Sequence, residues 1–303
     1  MKLIQKLENF RNRFSSKIFY NENLSKFSWF NIGGPASVLF KPKDLKELKA
    51  FLKEINLEKK IKILGAGSNT LFRDGGFDGI VIKFGKSFSN LSLLNSDTII
   101  AGAAAKDKSV STFAFQNSVS GFEFLSCIPG TVGGGIRMNS GCYGDDFSKI
   151  LVSIQAIDFE GNIKTILCSD INFYYRGCNL KDNLIFLSAT LKGNKDNKIN
   201  IKKRMNDFIK VKKTTQPSKI KTCGSTFKNP KNQKAWKLIQ DSGCGGMEIG
   251  DAQISKKHSN FFINKGKANS EDLENLIDEV KKNVLKKTGI KLELELQIVG
   301  KKL

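Results

Sequence analysis

Apolar residues recur at two periods along the chain, and the switches between them mark where elements begin and end. Leu45, Leu48, Leu52 and Ile55 follow helical spacing, with Asp44 placed to cap the first turn and Glu47 three residues on; residues 45–55 therefore read as an amphipathic helix. Leu273, Leu276, Ile277, Val280 and Val284 give one apolar face to a helix starting at Ser270, behind an acidic first turn of Glu271, Asp272 and Glu274. Near the C-terminus, Leu292, Leu294, Leu296 and Ile298 alternate strictly with Glu293, Glu295 and Gln297, the period of a half-buried strand. Shorter runs at 61–64, 80–82, 98–100 and 184–191 read as strands, as does 151–166 on either side of a Gly161-Asn162 turn. Residues 27–42 read as two strands about Gly33-Gly34-Pro35. Residues 108–118, 235–241 and the basic stretch around Met205, Phe208 and Ile209 read as helices. The mixture is α+β, and the polar Gly193–Lys198 segment is the best linker in the chain.

Glycine interrupts this pattern in two informative places. Gly121 to Gly144 reads GFEFLSCIPGTVGGGIRMNSGCYG, with seven glycines in 24 residues against a background near ~7%. Phe122, Phe124, Leu125, Ile128, Val132, Ile136 and Met138 are interleaved and need burial, which argues against a linker and for a loop that faces a ligand. Pro129-Gly130 suits the centre of a type II turn, and Gly133, Gly134 and Gly135 are placed to offer bare N–H groups. The second place is the short strand 61–64, which runs into Gly65-Ala66-Gly67-Ser68-Asn69, small enough to let a pyrophosphate approach the backbone. Thr70 stands where a dinucleotide fingerprint needs its third glycine, and no Gly-Lys-Ser/Thr follows, so this loop matches neither standard motif.

Composition narrows the chemistry. The 303 residues suffice for two or three domains, and no run approaches the ~20 apolar residues of a membrane span. The N-terminus lacks a signal-peptide core, which makes the cytoplasm the expected location. A formal charge of +21 raises nucleic acid as a partner, yet only six of the 50 basic residues are arginine and the lysines are spread along the whole chain. That pattern favours a general attraction for anionic substrates over specific nucleic-acid recognition. Six cysteines without a C-x-x-C pair and a single histidine, His258, supply no metal cluster, and conventional Ser-His-Asp chemistry is nearly excluded. A bound cofactor that carries the chemistry fits best.

Seven segments in order then carry a resemblance: IGGPA (32–36), LGAGSNTLFRDGGF (64–77), GFEFLSCIPGTVGG (121–134), RMNSGCYG (137–144), YYR (174–176), GSTFKNP (224–230) and LELELQIVG (292–300). Together they resemble the UDP-N-acetylenolpyruvoylglucosamine reductase family, from about residue 20 to the end. The resemblance implies FAD as cofactor, NADPH as co-substrate and reduction of UDP-N-acetylglucosamine enolpyruvate to UDP-N-acetylmuramate in peptidoglycan synthesis. It implies a two-part FAD-binding region of the vanillyl-alcohol-oxidase type, at 1–78 and 79–197, followed by an α+β substrate-binding domain at 198–303. A monomer is the expected state.

By matching positions, the resemblance puts Gly65, Gly67, Ser68, Asn69, Gly130 and Thr131 at FAD. It makes Ser225 the proton donor, Arg176 the partner of the substrate carboxylate, and Glu295, when protonated, a hydrogen-bond donor to the developing enolate. Lys228 and Asn229 are implied contacts of the UDP portion. From its residues alone, Arg176 in the Phe173-Tyr174-Tyr175 cluster either stacks on a tyrosine or holds a carboxylate. Glu293 shares the alternating face of Glu295, so only the motif register chooses between them. Two departures stand out. The usual Glu-Pro-Glu-Val-Arg ending is Glu293-Leu294-Glu295-Leu296-Gln297, and the 49 positions between Arg176 and Ser225 leave no room for the tyrosine-bearing loop of one subgroup. The chain therefore resembles the second, loop-lacking type.

Overall fold

The computed structural model describes residues 2–14, 17–55 and 60–303. The chain forms two compact units: residues 1–19, 38–66 and 79–212 make the first, and residues 20–37, 67–78 and 213–303 the second. Three strands, Lys17–Asn23, Pro35–Lys41 and Phe77–Ile82, carry the chain from one unit to the other, as does the helix Lys198–Thr215.

In the first unit the helix Leu45–Ile55 spans the expected residues and buries Leu48, Phe51, Leu52 and Ile55. Its start is fixed by two bonds: Glu47 N–H donates to Asp44 Oδ1 at 2.8 Å, and Lys43 N–H donates to the Glu47 carboxylate at 2.8 Å. Phe51 stacks on Phe40 with ring centroids 3.7 Å apart, and Phe10 meets both rings edge-on. Strand Lys60–Ile63 pairs in parallel with Gly79–Ile82. A five-stranded antiparallel sheet follows, in the order Ile163–Leu167, Leu151–Asp158, Leu184–Lys192, Thr98–Gly102, Leu91–Leu93. The Gly161-Asn162 turn links its first two strands, held by Asp158 Oδ1, which accepts from the N–H groups of Glu160 and Asn162. Helix Asp107–Gln116 and the glycine-rich segment pack on this sheet through Val110, Ala114, Phe122, Phe124, Leu125, Val132 and Ile136.

The second unit holds a three-stranded antiparallel sheet (Glu248–Ile249, Ala252–Ile254, Phe262–Asn264) and the helices Ala235–Asp241 and Ser270–Thr288. Asn269 and Asp272 make a reciprocal capping box at the start of the long helix, and Gly289 ends it with φ 73°. Arg73-Asp74 anchors the same helix start. Asp74 Oδ2 accepts from Ser270 N–H, Ser270 Oγ accepts from Asp74 N–H at 3.1 Å, and the Arg73 guanidinium binds both Glu274 oxygens at 2.8 Å. A bidentate pair of this kind fixes orientation as well as charge.

Two expected strands are shorter than their patterns imply. Residues 27–33 are not extended: Leu24–Phe27 is a 3-10 turn, Ser28 Oγ accepts from Phe30 N–H, and Asn31 is left-handed at φ 54°. Short polar side chains bonding nearby backbone compete with a ladder in this way. The alternating C-terminal run pairs as a strand only over Gln297–Val299, in parallel with Thr70–Phe72. Before that, Leu292 and Leu296 are buried as the alternation demands, but the N–H groups of Glu295 and Leu296 both donate to one carbonyl, Thr226 O, at 2.9 and 3.2 Å. Two residues opposite one is the geometry of a bulge, and it breaks the ladder.

Candidate active site

In the first unit, the segment Ala103–Asp107 runs beside Gly130–Gly133 through four backbone bonds or bridges. Asp107 N–H donates to Gly130 O at 3.2 Å, Val132 N–H to Ala105 O at 3.0 Å and Gly133 N–H to Ala103 O at 2.9 Å, while Lys106 pairs with Thr131. The glycine-rich turn is thus fixed along one side by the chain just before helix Asp107–Gln116. Gly130 does not take the positive φ that a type II turn needs there. Its reason for lacking a side chain is space, since a Cβ would lie 2.3 Å from Asp107 Oδ2. The expected bare N–H groups are only partly present. Gly133 and Gly135 donate to Ala103 O and Thr131 O, whereas Gly134 is exposed.

Thr131 precedes the short helix Val132–Arg137 without using its hydroxyl as a cap. That hydroxyl lies 2.7 Å from where a Cβ on Gly65 would stand, so Gly65 and Thr131 face each other across a gap that admits no side chain. Lys83 Nζ donates to Gly65 O at 2.6 Å, and burial, with Lys41 nearby, lowers the Lys83 pKa. Backbone brought this close, without side chains and with a cation behind it, suits the phosphates and ring oxygens of FAD.

Arg176 belongs to the same unit and sits at the far end of the glycine-rich segment. Its guanidinium stacks, as one of its two alternatives allows: it lies 4.8 Å from the Tyr175 ring centroid, and it donates to a backbone carbonyl, Gly141 O, at 3.1 Å. Its backbone is left-handed at φ 63°, a conformation an arginine adopts only when its surroundings impose it. Asn139 contributes by donating to Tyr174 O. Arg137, in contrast, holds the fold, with its guanidinium on the carbonyls of Leu180 and Leu184 and over the Phe186 ring.

In the second unit Gly67 is left-handed at φ 69°, and a Cβ there would meet Phe27 O at 1.8 Å. Asn69 Nδ2 donates to Glu295 O at 3.0 Å, and Asn69 O accepts from Gln297 N–H at 3.1 Å, so this loop and the C-terminal segment fix each other. Ser225 pairs with Phe261, Phe227 pairs with Leu294, and Lys228 N–H donates to Glu293 O at 2.8 Å. Ser225 and Glu295 therefore lie on extended segments held on either side of Thr226. The two glutamates differ in exposure: the Glu293 side chain is 74% exposed and ion-paired with Lys228, while Glu295 is half-buried. Asn229 Oδ1 accepts from Ala235 N–H at 3.0 Å and starts the helix that follows.

A sequence reading had no signal for Asn260. Its buried amide accepts from Phe227 N–H at 2.9 Å and donates to Phe227 O at 2.8 Å, imitating a strand neighbour for the segment that carries Ser225. His258 assists by accepting from Asn260 N–H at its Nδ1, and burial lowers its pKa, so it is a neutral structural ring. Burial pushes the Cys142 thiol up to about 12 and the Cys223 thiol up to about 11, so neither offers a reactive thiolate.

An FAD-binding domain profile matches residues 36–167, and the profile of the UDP-N-acetylenolpyruvoylglucosamine reductase C-terminal domain matches residues 216–299. A reductase of this name from Pelagibacter ubique is 53% identical over 98% of this chain and 99% of its own. Another, from Rickettsia conorii, is 46% identical over 92% of this chain and 94% of its own. The crystal structure of the Thermus caldophilus UDP-N-acetylenolpyruvylglucosamine reductase superposes with a TM-score of 0.82 at 29% identity, covering 94% of this chain and 99% of that one. An α+β chain that joins an FAD-binding domain to this C-terminal domain is an FAD-dependent oxidoreductase. It belongs to the UDP-N-acetylenolpyruvoylglucosamine reductase family. Among the described residues no helix is long and apolar enough to cross a membrane.

Proposed function

We propose that this chain reduces UDP-N-acetylglucosamine enolpyruvate to UDP-N-acetylmuramate with NADPH, as a cytoplasmic monomer without a specific nucleic-acid partner. The observation that carries the reading is the pairing at Thr226, which holds the segments of Ser225 and Glu295 beside each other, with Glu295 half-buried where Glu293 is exposed. Residues 1–78 and 79–197 hold FAD in this reading, and 198–303 binds the UDP-sugar.

Gly65, Gly130 and Thr131 in the first unit and Gly67, Ser68 and Asn69 in the second are the cofactor-binding residues of this reading, each loop offering backbone groups to phosphate or ring oxygens. When bound, FAD supplies a hydride relay from NADPH to the terminal carbon of the enolpyruvyl group. Arg176, pre-set by Gly141 O and Tyr175, takes the substrate carboxylate, into which charge spreads from the adjacent carbon. Glu295, protonated, donates a hydrogen bond to the same enolate, and Ser225 Oγ–H gives the proton that completes the saturated carbon. Serine is a weak acid in water, and an enolate is basic enough to take its proton when the two are held in line. Lys228 and Asn229 bind the UDP portion.

The test is direct. Purified protein should be yellow or take up FAD, and should oxidise NADPH productively only with UDP-N-acetylglucosamine enolpyruvate present. A protein that binds FAD and turns over an unrelated alcohol or hydroxy acid, but not this ether, would sink the proposed substrate.

A further inference from the structure

Asp107 opens the helix Asp107–Gln116 and is fully buried; Ser111, one turn on, is buried as well. Among the described residues, neither carboxyl oxygen of Asp107 has a hydrogen-bond partner, and the Ser111 hydroxyl has none either. The helix does not use the carboxyl as a cap: Lys106 occupies the N-cap position and makes no side-chain bond. A buried polar atom left unmade costs about 1–3 kcal/mol, so a carboxyl with both oxygens unsatisfied needs a reason.

Its direction supplies one. Asp107 Oδ2 stands 2.3 Å from the position a Cβ would take on Gly130, and the Ile128 side chain lies 3.6 Å from the same point. Asp107 N–H bonds Gly130 O, and the preceding residue pairs with Thr131. The carboxyl is thus pressed against the turn that the cofactor reading assigns to the flavin. Burial raises its pKa well above the usual carboxylate range, which favours the neutral acid, with one O–H donor and one carbonyl acceptor. The flavin ring offers matching groups, carbonyl acceptors and an imide N–H donor.

We propose that Asp107 is a cofactor-binding residue whose carboxyl, orphaned within the protein, gains its partner when FAD lies on the Gly130–Thr131 turn. This rests on the proposed FAD site. It predicts an opposition between stability and affinity: removing the carboxyl relieves the FAD-free protein and weakens the complex.

Asp107→Leu, Asp107→Ala and Asp107→Asn, each stripped of FAD, are compared with the wild type by thermal melting and by FAD titration followed through flavin fluorescence. The leucine variant should melt at or above the wild-type temperature without FAD, with its Kd for FAD raised at least tenfold. Asparagine presents a carbonyl acceptor and an N–H donor as the neutral acid does, so it should keep FAD binding near wild type, while Asp107→Ala, which removes both groups, carries the test if leucine prevents folding. A Kd within twofold of wild type in the folded leucine or alanine variant overturns the inference. Failure of the wild type itself to bind FAD would overturn the cofactor site as well, so the two failures are distinguishable.

Discussion

The two units prepare their candidate groups in opposite ways. Around Ser225 the backbone is bonded on both flanks, by the Asn260 amide and Phe261 on one and by Glu293, Glu295 and Leu296 on the other. On the described segment Ser225–Lys228, the Thr226 hydroxyl alone is buried without a partner. Beside Gly130, by contrast, a whole carboxyl and a hydroxyl are buried with no partner among the described residues. The first arrangement suits a proton donor, which must already be in line when the enolate forms. The second suits a residue whose partner arrives with a ligand. Pre-organisation and vacancy of hydrogen bonds are both readable, and they assign different work to the two units.

The largest effect that tests this contrast is on the proposed proton donor, Ser225. Ser225→Ala should leave reduction of bound FAD by NADPH within about twofold of wild type. In the same variant the substrate half-reaction should slow by roughly 10²–10⁴, the range for loss of a positioned acid. Rapid-mixing measurement of the two half-reactions separates them. Equal damage to both would show that Ser225 acts in binding or folding.

A sharper distinction concerns two glutamates two residues apart, one exposed and one half-buried. Glu295→Ala, which unlike glutamine leaves no donor in its place, should lower the rate of substrate reduction by roughly 10²-fold or more, within the span seen when one transition-state donor is lost. Glu293→Gln removes only an exposed ion pair with Lys228, whose N···O separation is 3.5 Å, and should change stability by less than about 1 kcal/mol. If both substitutions cost the same rate, the difference in exposure does not separate their roles.

Next in size is Asn260→Ala. Two buried bonds to Phe227 disappear, leaving a backbone donor and an acceptor unsatisfied at about 1–3 kcal/mol each. Denaturant unfolding should show the second unit losing stability. At temperatures where the variant stays folded, the substrate half-reaction should slow while FAD reduction by NADPH does not. An unchanged midpoint would mean that the Phe261 and Leu294 sides hold the Ser225 segment without the amide.

What the sequence discloses divides along the same line. The helices 45–55, 235–241 and 270–288 are visible because their apolar spacing and caps are local; Asn269 and Asp272 lie within four residues of each other. Ser225, Arg176 and Glu295 could be put forward because they sit in recognisable motifs, as could Gly65 and Gly130, whose loops are also conspicuous for small residues and glycine. Asn260 and Asp107 could not. Asn260 acts on a residue 33 positions away, and nothing in SKKHSN declares that its amide will replace a strand. Asp107 looks like an ordinary acidic residue in a helix's first turn, where a carboxylate is favourable and exposed. Only packing against Gly130 reveals that it is buried. The C-terminal alternation misled for a related reason, because period two describes side-chain faces but is blind to Leu296 N–H sharing a carbonyl with Glu295 N–H.

The smallest effect follows from the charge state of Asp107. Burial raises its pKa in the folded chain above the ~3.9 of an unfolded aspartate, so the folded state holds the proton more tightly. The favourable contribution is complete below that unfolded value and is lost as pH rises through the folded one. Wild-type FAD-free protein should therefore lose stability across this group's window on going from about pH 4 upward. Asp107→Leu has no such group, and its melting temperature relative to wild type should climb with pH, by about 2–4 °C for each kcal/mol in a domain of this size. Melting both proteins at pH 5 and pH 8 gives the comparison. A gap that stays constant, or narrows at the higher pH, would mean that the carboxyl is ionised and partnered in solution, and that the first unit has no vacancy for the cofactor to fill.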